Sequence, residues 1–559
     1  MTSIRPRRRR RSLDLPCETQ KTVTRKQKLT LLATILGSTI VFLDSTVVNV
    51  ALPSIQEDLN TGLAGQQWIV EAYMLTLVSL LLVGGSLGDL YGRKRMFVIG
   101  LIGFAATSIL CAVSPTDEAL VGARALQGIA GALLVPGSLA ILAATFEGEA
   151  RGRAVGLWTA WAGISTLVGP AGGGLLVEID WRLIFWVNIP LIVFTVWLAL
   201  RAIDESTDPD AVHGIDVIGI LLSALGLAGP VFALIEQPTY GFADPIVFVP
   251  LIAGIALLAT FVWWERRARA PILPLELFRS HNFSAVNLAT LCVYAGLISS
   301  FFFITLFLQQ VAGYTAFQAG AATTPVTVLM FLLSGRFGAL AGRIGPRLVM
   351  GIGPLIAAVG LALLLRLDSD PTYVTDILPS LLLFGFGLSM TVAPLTTTVL
   401  DSVEERHVGV ASGINNAVAR VAGVLAIAAL GAVVSAQFAS SLDDRTAGVP
   451  IGAEARAAVK DAKEQPLSGG DVGDVPAAEA TELKADIVSS SESAFHLGML
   501  LAAALMAIGG SIALLSVRNP GHASAREPSR GPGAAATAGE CGRSAEREGA
   551  EAEPEPSLP

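Results

Sequence analysis

Hydrophobic residues in this chain occur in long uninterrupted runs and do not alternate with polar residues. A helix needs roughly 20 apolar residues to cross a bilayer, and in lipid it satisfies its own backbone hydrogen bonds. Membrane strands would instead show alternating segments of about ten residues. The pattern therefore predicts fourteen membrane helices, at Leu29–Leu52, Trp68–Leu90, Met96–Val113, Ala119–Phe146, Ala154–Val177, Leu183–Ile203, Ile215–Ile235, Ile246–Trp264, Phe283–Val311, Phe317–Ala341, Leu348–Leu367, Ile377–Leu400, Val408–Phe438 and Ser493–Val517.

The short connections between these runs differ in charge. Basic residues such as Arg93–Arg95 and Arg266–Arg267 cluster in every second connection, whereas acidic residues such as Asp117 and Asp368 lie in the others. Because basic loops stay on the cytoplasmic side of a membrane, we expect the N-terminus in the cytoplasm. Fourteen spans then return the C-terminus to the same side.

The composition agrees with a membrane protein and excludes a soluble one. Of the 559 residues, 52% are hydrophobic and 15% are charged, against about 25% charged in soluble domains. The net charge of −8 is unevenly distributed. Residues 1–28 form a basic tail that contains the run Arg7–Arg11. We expect this run to lie against an anionic membrane surface and not to bind nucleic acid. Residues 518–559 are predicted to be a disordered cytoplasmic tail.

One predicted outer connection, Ala439–Glu492, is much longer than the rest. Its segments Ala453–Lys463 and Ala477–Ile487 have the composition of short amphipathic helices or a hairpin. The connection is either a cap over the outer mouth or a solvated spacer.

An internal repeat indicates how the spans are grouped. The segment Gly85–Arg95 after the second span and the segment Gly338–Arg347 after the tenth share the same order of glycine, leucine and basic residues. This offset of eight spans indicates two six-span bundles separated by a two-span insert. We therefore predict bundles at residues 29–203 and 283–517, with inserted helices at residues 215–264.

Five motifs follow one another along the first six predicted spans. They are Leu43–Pro53, Gly85–Arg95, Arg124–Gly128, Gly169–Gly174 and Trp181–Pro190. With them the chain resembles the major facilitator superfamily, in its branch of fourteen-span drug:proton antiporters. The resemblance covers roughly residues 29–517.

The resemblance implies the all-α major facilitator fold and a transporter rather than an enzyme. It implies export of hydrophobic, cationic drugs or toxic compounds across a bacterial cytoplasmic membrane by alternating access, driven by the proton gradient without a cofactor. We expect a monomer. The alternative is an exporter or flippase-like transporter of an endogenous metabolite or lipid on the same scaffold.

Three charged residues lie within the spans of the first bundle, where each costs roughly 2.5–3.5 kcal/mol to insert. They are Asp44, Glu71 and Arg124, all predicted at similar depth in the outer half. Burial disfavours an ionised carboxyl and a nearby cation favours it, so Asp44 beside Arg124 could exchange a proton for a cationic substrate. The resemblance implies the same role for Asp44. The other interpretation is a structural Asp44–Arg124 pair between two spans.

Glu71 departs from the family pattern, which often has a small polar residue at this position. It is interpreted as a second proton site or a cation-selecting group. The alternative is an interfacial residue that is wetted from outside, since Gln66 and Gln67 precede it.

Two further motifs concern gating. Asp89 lies among basic residues in the segment formed by Gly85, Asp89, Gly92, Arg93, Lys94 and Arg95. The resemblance implies that this segment latches the inner side closed; the second copy has Gly342 in place of Asp89. The antiporter motif, Gly169, Pro170, Gly173 and Gly174, places small residues on one helix face, where helices can approach closely.

Candidate cavity residues combine polar, aromatic and soft side chains, which suit small hydrophobic or cationic molecules. They are Asn49, Gln127, Tyr294, Phe303, Met390, Asn416 and Arg420. The sequence contains no phosphate-binding loop and no pair of histidines at metal spacing, so we expect neither a catalytic nor a metal site.

Overall fold

The computed structural model describes residues 24–519, apart from residues 147, 208–215, 269–270, 405–407, 448–451, 468–471 and 473–474. The basic run Arg7–Arg11 and the tail predicted to be disordered, beyond its first two residues, lie outside the described residues. No strand occurs in the described part of the chain. Its sixteen α-helices are α1 (Arg25–Leu59), α2 (Leu63–Tyr91), α3 (Arg93–Ala112), α4 (Asp117–Thr145), α5 (Gly148–Val177), α6 (Leu183–Trp186), α7 (Asn188–Ala202), α8 (Val217–Tyr240), α9 (Pro245–Glu265), α10 (His281–Gln310), α11 (Ala316–Ile344), α12 (Pro346–Leu363), α13 (Leu378–Asp401), α14 (Val408–Thr446), α15 (Ala453–Glu464) and α16 (Ala477–Ser516).

The fourteen spans predicted from the sequence are all present. Thirteen helices are long and apolar enough to cross a membrane, and α2, bent by 49° between Leu81 and Val83, is the fourteenth. The short α6 and α7 together form one span, Leu183–Ala202. The prediction of an all-α membrane protein is confirmed.

Several helices begin at caps that the local sequence encodes. The hydroxyl of Thr24 accepts a hydrogen bond from the Gln27 amide at 3.2 Å, and the Gln27 side chain accepts one from the Thr24 amide in return. Thr315 and Gln318 repeat this arrangement at the start of α11. Such capping boxes satisfy amide groups that the first turn leaves free, and so they fix where a span begins.

The helix ends define two membrane faces. We call the face where α1 begins, and where Arg93, Lys94, Arg95 and Arg343 lie at helix ends, the basic face, and the other one the opposite face. The first bundle is built on the pairs α2–α4, α3–α4 and α1–α5, and the second on α12–α13, α10–α16 and α11–α13.

The two bundles contact each other in the half that lies nearer the opposite face. Gln67 of α2 donates to the Ile427 carbonyl of α14 at 2.7 Å, and Gln309 of α10 donates to the Val50 carbonyl of α1 at 3.1 Å. One large apolar cluster, which includes Ile55 and Phe307, crosses between the bundles there. The structure is therefore closed at the opposite face.

In the half nearer the basic face, most described side chains of α5 and α11 are exposed or half-buried. A Cβ atom built on Gly156 of α5 or on Gly335 of α11 would meet nothing within 4 Å. These two helices approach each other closely near their other ends, at Gly174 and Gly320. The pattern indicates that they separate towards the basic face.

The inserted helix α8 lies across the seam between the bundles. Its residues Val231 and Ile235 form one apolar cluster with Val424 of α14, and Trp68 of α2 packs against that cluster. The Trp68 indole also donates to the Glu236 carboxylate of α8 at 2.8 Å. Helix α9 packs on α8 and is exposed on its other sides.

The long connection contains more helix than the sequence indicated. Helix α14 continues to Thr446, α15 forms the first predicted segment, and the second predicted segment is the start of α16. Helices α14 and α16 therefore extend past the predicted span ends at Phe438 and Ser493 into the long connection.

Helix α15 is attached to the bundles. Its residues Ala455 and Val459 are buried in the cluster that joins them, and Gln465 just after it accepts a hydrogen bond from Gln56 at 3.0 Å. The side chain of Gln56 also accepts from Gln310 of α10 at 2.5 Å. These contacts favour the interpretation of the connection as a cap.

We predict that Val459→Asp lowers the melting temperature of the detergent-solubilised protein, because it buries an unpaired charge at a cost of about 2 kcal/mol. Lys460→Asp is the matched control, since Lys460 is exposed on the same helix. Equal melting temperatures for the two variants would show that α15 is a spacer.

Candidate functional site

A buried ion pair lies at the centre of the first bundle. The Nη1 atom of Arg124 on α4 is 2.5 Å from the Oδ2 atom of Asp44 on α1. Both side chains are 1% exposed. The ion pair expected between these two residues is therefore present, and it joins α1 to α4 in a region that neither lipid nor water reaches.

Polar side chains of α4 and α7 donate further hydrogen bonds to Asp44. Its Oδ1 atom accepts hydrogen bonds from Gln127 at 3.1 Å and from Asn188 at 3.2 Å. Both amides also donate to the Ser108 hydroxyl of α3, at 3.0 and 3.4 Å. Both carboxyl oxygens of Asp44 therefore have hydrogen-bond partners. We call Asp44, Ser108, Arg124, Gln127 and Asn188 the central network.

Arg124 connects the central network to α2. Its Nε atom donates to the Ile69 carbonyl at 3.1 Å, and its guanidinium lies over the Tyr73 ring, 4.1 Å from the centroid. A further hydrogen bond of 2.7 Å runs from Nη1 to Gln127. One arginine therefore fixes the relative positions of α1, α2 and α4.

Glu71 lies outside the central network and has a different environment. It is fully buried, and neither carboxyl oxygen has a hydrogen-bond partner. In this conformation Glu71 is not wetted from outside. The structure leaves a buried carboxyl group whose ionised form would be strongly disfavoured without a partner.

The residues predicted to line a cavity fall into different places. Gln127 belongs to the central network. Asn49 has a buried carbonyl oxygen without a partner, and the guanidinium of Arg420 lies 3.9 Å from the Met74 sulfur of the other bundle. Tyr294 and Met390 are half-buried.

Two other predicted cavity residues lie elsewhere. Phe303 is fully buried in the apolar cluster, edge-on to Phe302 with ring centroids 5.1 Å apart. Asn416 is exposed and donates to the Ser412 carbonyl of its own helix at 3.0 Å. In this conformation Phe303 acts as a core residue.

The antiporter motif lies where helices approach closely. Gly169 and Gly173 of α5 pack on Thr46 and Val47 of α1. Gly174 faces α11 of the other bundle, where an added Cβ would lie 2.6 Å from the Ala316 carbonyl oxygen. The motif thus forms part of the closed contact between the bundles.

The latch motif is held within its own bundle. Asp89 pairs with Arg93 at 2.7 Å, one turn further along the chain. The Glu205 carboxylate accepts hydrogen bonds from the backbone amides of Lys94 at 3.0 Å and Arg95 at 3.1 Å. Gly92, at φ +109°, makes room for this carboxylate.

Sequence reasoning missed four residues of these arrangements: Ser108, Asn188, Tyr73 and Glu205. Asn188 lies in the quoted motif Trp181–Pro190, so it had a signal; Ser108 and Glu205 had none. Among the described residues, no group of three or more His, Cys, Asp or Glu side chains is placed to hold a metal ion.

Residues 34–427 match the family described as Major Facilitator Superfamily. Similar proteins include "Multidrug resistance protein Stp" of Mycobacterium tuberculosis, 36% identical over 75% of this chain and 78% of the relative. The "Tetracenomycin C resistance and export protein" of Streptomyces glaucescens is 32% identical over 91% and 95%, respectively. The "Puromycin resistance protein pur8" of Streptomyces alboniger is 35% identical over 72% and 81%.

Solved structures share the fold at low sequence identity. A bacterial homolog of the human lysosomal transporter Spinster, inward-facing and unoccupied, aligns with a TM-score of 0.63 at 15% identity, over 89% of this chain and all of that one. The xylose transporter XylE from E. coli, inward open, aligns with a TM-score of 0.53 at 13% identity, over 88% and 96%.

We predict that Gly174→Val destabilises the protein by about 1–3 kcal/mol, because its side chain would press on the backbone of α11. The melting temperature measures this loss. Gly172→Val is the control, since a Cβ there lies 3.6 Å from a side chain of its own helix. An unchanged melting temperature for Gly174→Val would contradict the close contact.

Proposed function

This chain belongs to the major facilitator superfamily, and from that premise we propose that it is a proton-coupled antiporter that exports hydrophobic, cationic compounds. It is a multi-pass membrane transporter and not an enzyme. The proton gradient would drive it without a cofactor, and the working unit would be a monomer in a bacterial cytoplasmic membrane.

The names of the relatives support small organic molecules as the transported compounds. They are described as resistance proteins for multiple drugs, for tetracenomycin C, which one of them exports, and for puromycin. Chains that are 32–36% identical over most of their length share a scaffold, so export of such a compound is the natural expectation.

The central network is the single observation that carries the coupling to protons. Asp44 is a carboxyl group that pairs with Arg124 in a site 1% exposed. A proton that binds Asp44 cancels the charge that holds Arg124, and so it loosens the tie between α1, α2 and α4. Loss of the proton restores the tie. Protonation thereby changes the packing of the first bundle, which is what an alternating-access cycle needs.

The position of the closed face indicates which state of the transport cycle this structure represents. If the basic face is cytoplasmic, as the positive-inside bias indicates, the structure is closed outside and represents an inward-facing state. In this structure Asp89 pairs with Arg93 of its own bundle. In the outward-facing state, Asp89 would meet the second bundle and act as the latch.

The proposal that the transported compound is cationic rests on the charged residues of the first bundle. Within the first bundle, Asp44 and Arg124 neutralise each other, and Glu71 adds a carboxyl group beside the seam between the bundles. Once Glu71 has lost its proton, a lipophilic cation would find there both an apolar wall and a negative charge.

We expect Asp44→Asn to abolish cation-triggered proton release from acid-loaded everted vesicles, because asparagine cannot carry the proton. Fluorescence of a pH-sensitive dye follows the flux, with tetraphenylphosphonium as the probe cation. Asp58→Asn is the matched control on the same helix, since Asp58 pairs with Arg182 at the membrane surface, 2.6 Å away.

Retained flux in Asp44→Asn would make the ion pair purely structural. Absence of proton release from the wild-type protein with any cation, although radiolabelled neutral or anionic amphiphiles are exported, would replace the proposal by export of a metabolite or lipid.

A further inference from the structure

A buried carboxyl group faces the seam between the bundles. Glu71 lies on the face of α2 that carries Gln67 one turn before it and Met74 one turn after it. Gln67 donates to the Ile427 carbonyl of α14 at 2.7 Å, and the Met74 sulfur lies 3.9 Å from Nη1 of Arg420. Contacts to α14 therefore flank Glu71 on both sides.

The register places Arg420 about one turn from Glu71. Helices α2 and α14 run in opposite directions, since residue 67 meets residue 427 and residue 74 meets residue 420. Glu71 and Met74 are three residues apart, which is about 4.5 Å along the helix. An arginine side chain that reaches Met74 can also reach Glu71 by changing rotamer.

The charged groups around Glu71 leave Arg420 as its partner. On the helices packed against α2, Arg124 is engaged by Asp44, and the Glu236 carboxylate of α8 is engaged by Trp68. The basic residues of α3 lie at the basic face, several turns away. Among the described residues, Arg420 has no ion pair, and its remaining polar neighbours are Tyr73 and Tyr294.

We propose that Glu71 and Arg420 form a proton-switched ion pair between the two bundles. With a proton on Glu71 the carboxyl is neutral, and Arg420 stays at Met74 as observed. When that proton leaves to the open basic-face side, the guanidinium moves to the carboxylate, and the pair holds α2 against α14. The only bond that breaks is the O–H bond of the carboxyl group, whose proton passes to water, and the arginine keeps its charge.

The ion pair would determine which forms of the transporter can switch between the inward-facing and the outward-facing state. A proton that binds Glu71 breaks the ion pair. A cationic substrate also breaks it, by competing with Arg420 for the carboxylate. Only the empty, proton-free carrier keeps the pair and stays closed at the opposite face. This lock would prevent a proton leak without substrate, so Arg420 is a positioning residue for tight coupling; this step rests on the proposed antiport.

The pair itself is tested without transport. We would measure melting temperatures of the full chain in detergent for wild type, Glu71→Gln, Arg420→Gln and the double variant, at pH 8 and pH 5.5. Arg420→Gln should lose about 2–4 °C at pH 8 and little at pH 5.5, and adding Glu71→Gln should remove the loss. Arg336→Gln, an exposed arginine of the same bundle, is the control.

Additive effects of the two substitutions at both pH values would overturn the pair. So would an equal loss at pH 8 and pH 5.5 for Arg420→Gln. The charge-swapped variant Glu71→Arg/Arg420→Glu provides an independent check, because it should regain stability at pH 8 if the two side chains meet.

The lock is tested by proton leak. Acid-loaded vesicles without substrate should lose their gradient several-fold faster with Arg420→Gln than with wild type, and the double variant, which also lacks the pair, should leak as fast as Arg420→Gln. An unchanged leak in Arg420→Gln would overturn the lock. If the wild-type protein shows no cation-driven proton flux but the melting cycle is non-additive, the antiport proposal fails and the ion pair stands.

Discussion

Lipid offers no counter-charge, so an ionised side chain within the membrane must find its partner inside the protein. Asp44 finds Arg124 on another helix, 2.5 Å away, together with two amides. Removing either partner would leave an unpaired buried charge, which costs several kcal/mol. The positions of α1, α2, α3, α4 and α7 in the first bundle are therefore tied to this one contact.

The same constraint distinguishes two carboxyl groups in the same half of the membrane. Asp44 accepts hydrogen bonds at both carboxyl oxygens and lies inside one bundle, whereas Glu71 accepts none and lies at the seam between the two bundles. A carboxyl group without a partner can accept a cationic group that comes within reach, whereas Asp44 already has one. Proton binding at Asp44 would reshape a bundle, while proton binding at Glu71 would act on the contact between bundles.

Closure at the opposite face uses uncharged groups. Glycines at 174 and 320 let α5 and α11 touch through their backbones, and glutamines at 56, 67, 309 and 310 join the bundles by single hydrogen bonds. Each such bond contributes only about 1 kcal/mol, so the seam can open without a large penalty. Helix α15 adds to this closure through Gln465, and α8 covers the seam from the lipid side.

The sequence by itself determined the number of spans, their boundaries to within about seven residues in the first bundle, and the pairing of Asp44 with Arg124. Long apolar runs are a local property, and two opposite charges within them have few other partners. The extension of α14 and α16, the hydrogen bonds of Asn188, Ser108, Gln465 and Glu205, and the position of Phe303 in the core were decided by tertiary structure. Polar and aromatic side chains of these kinds are common, and which of them meet depends on how helices far apart in sequence pack. Which face is closed was likewise decided by that packing, because the same apolar runs fit either state.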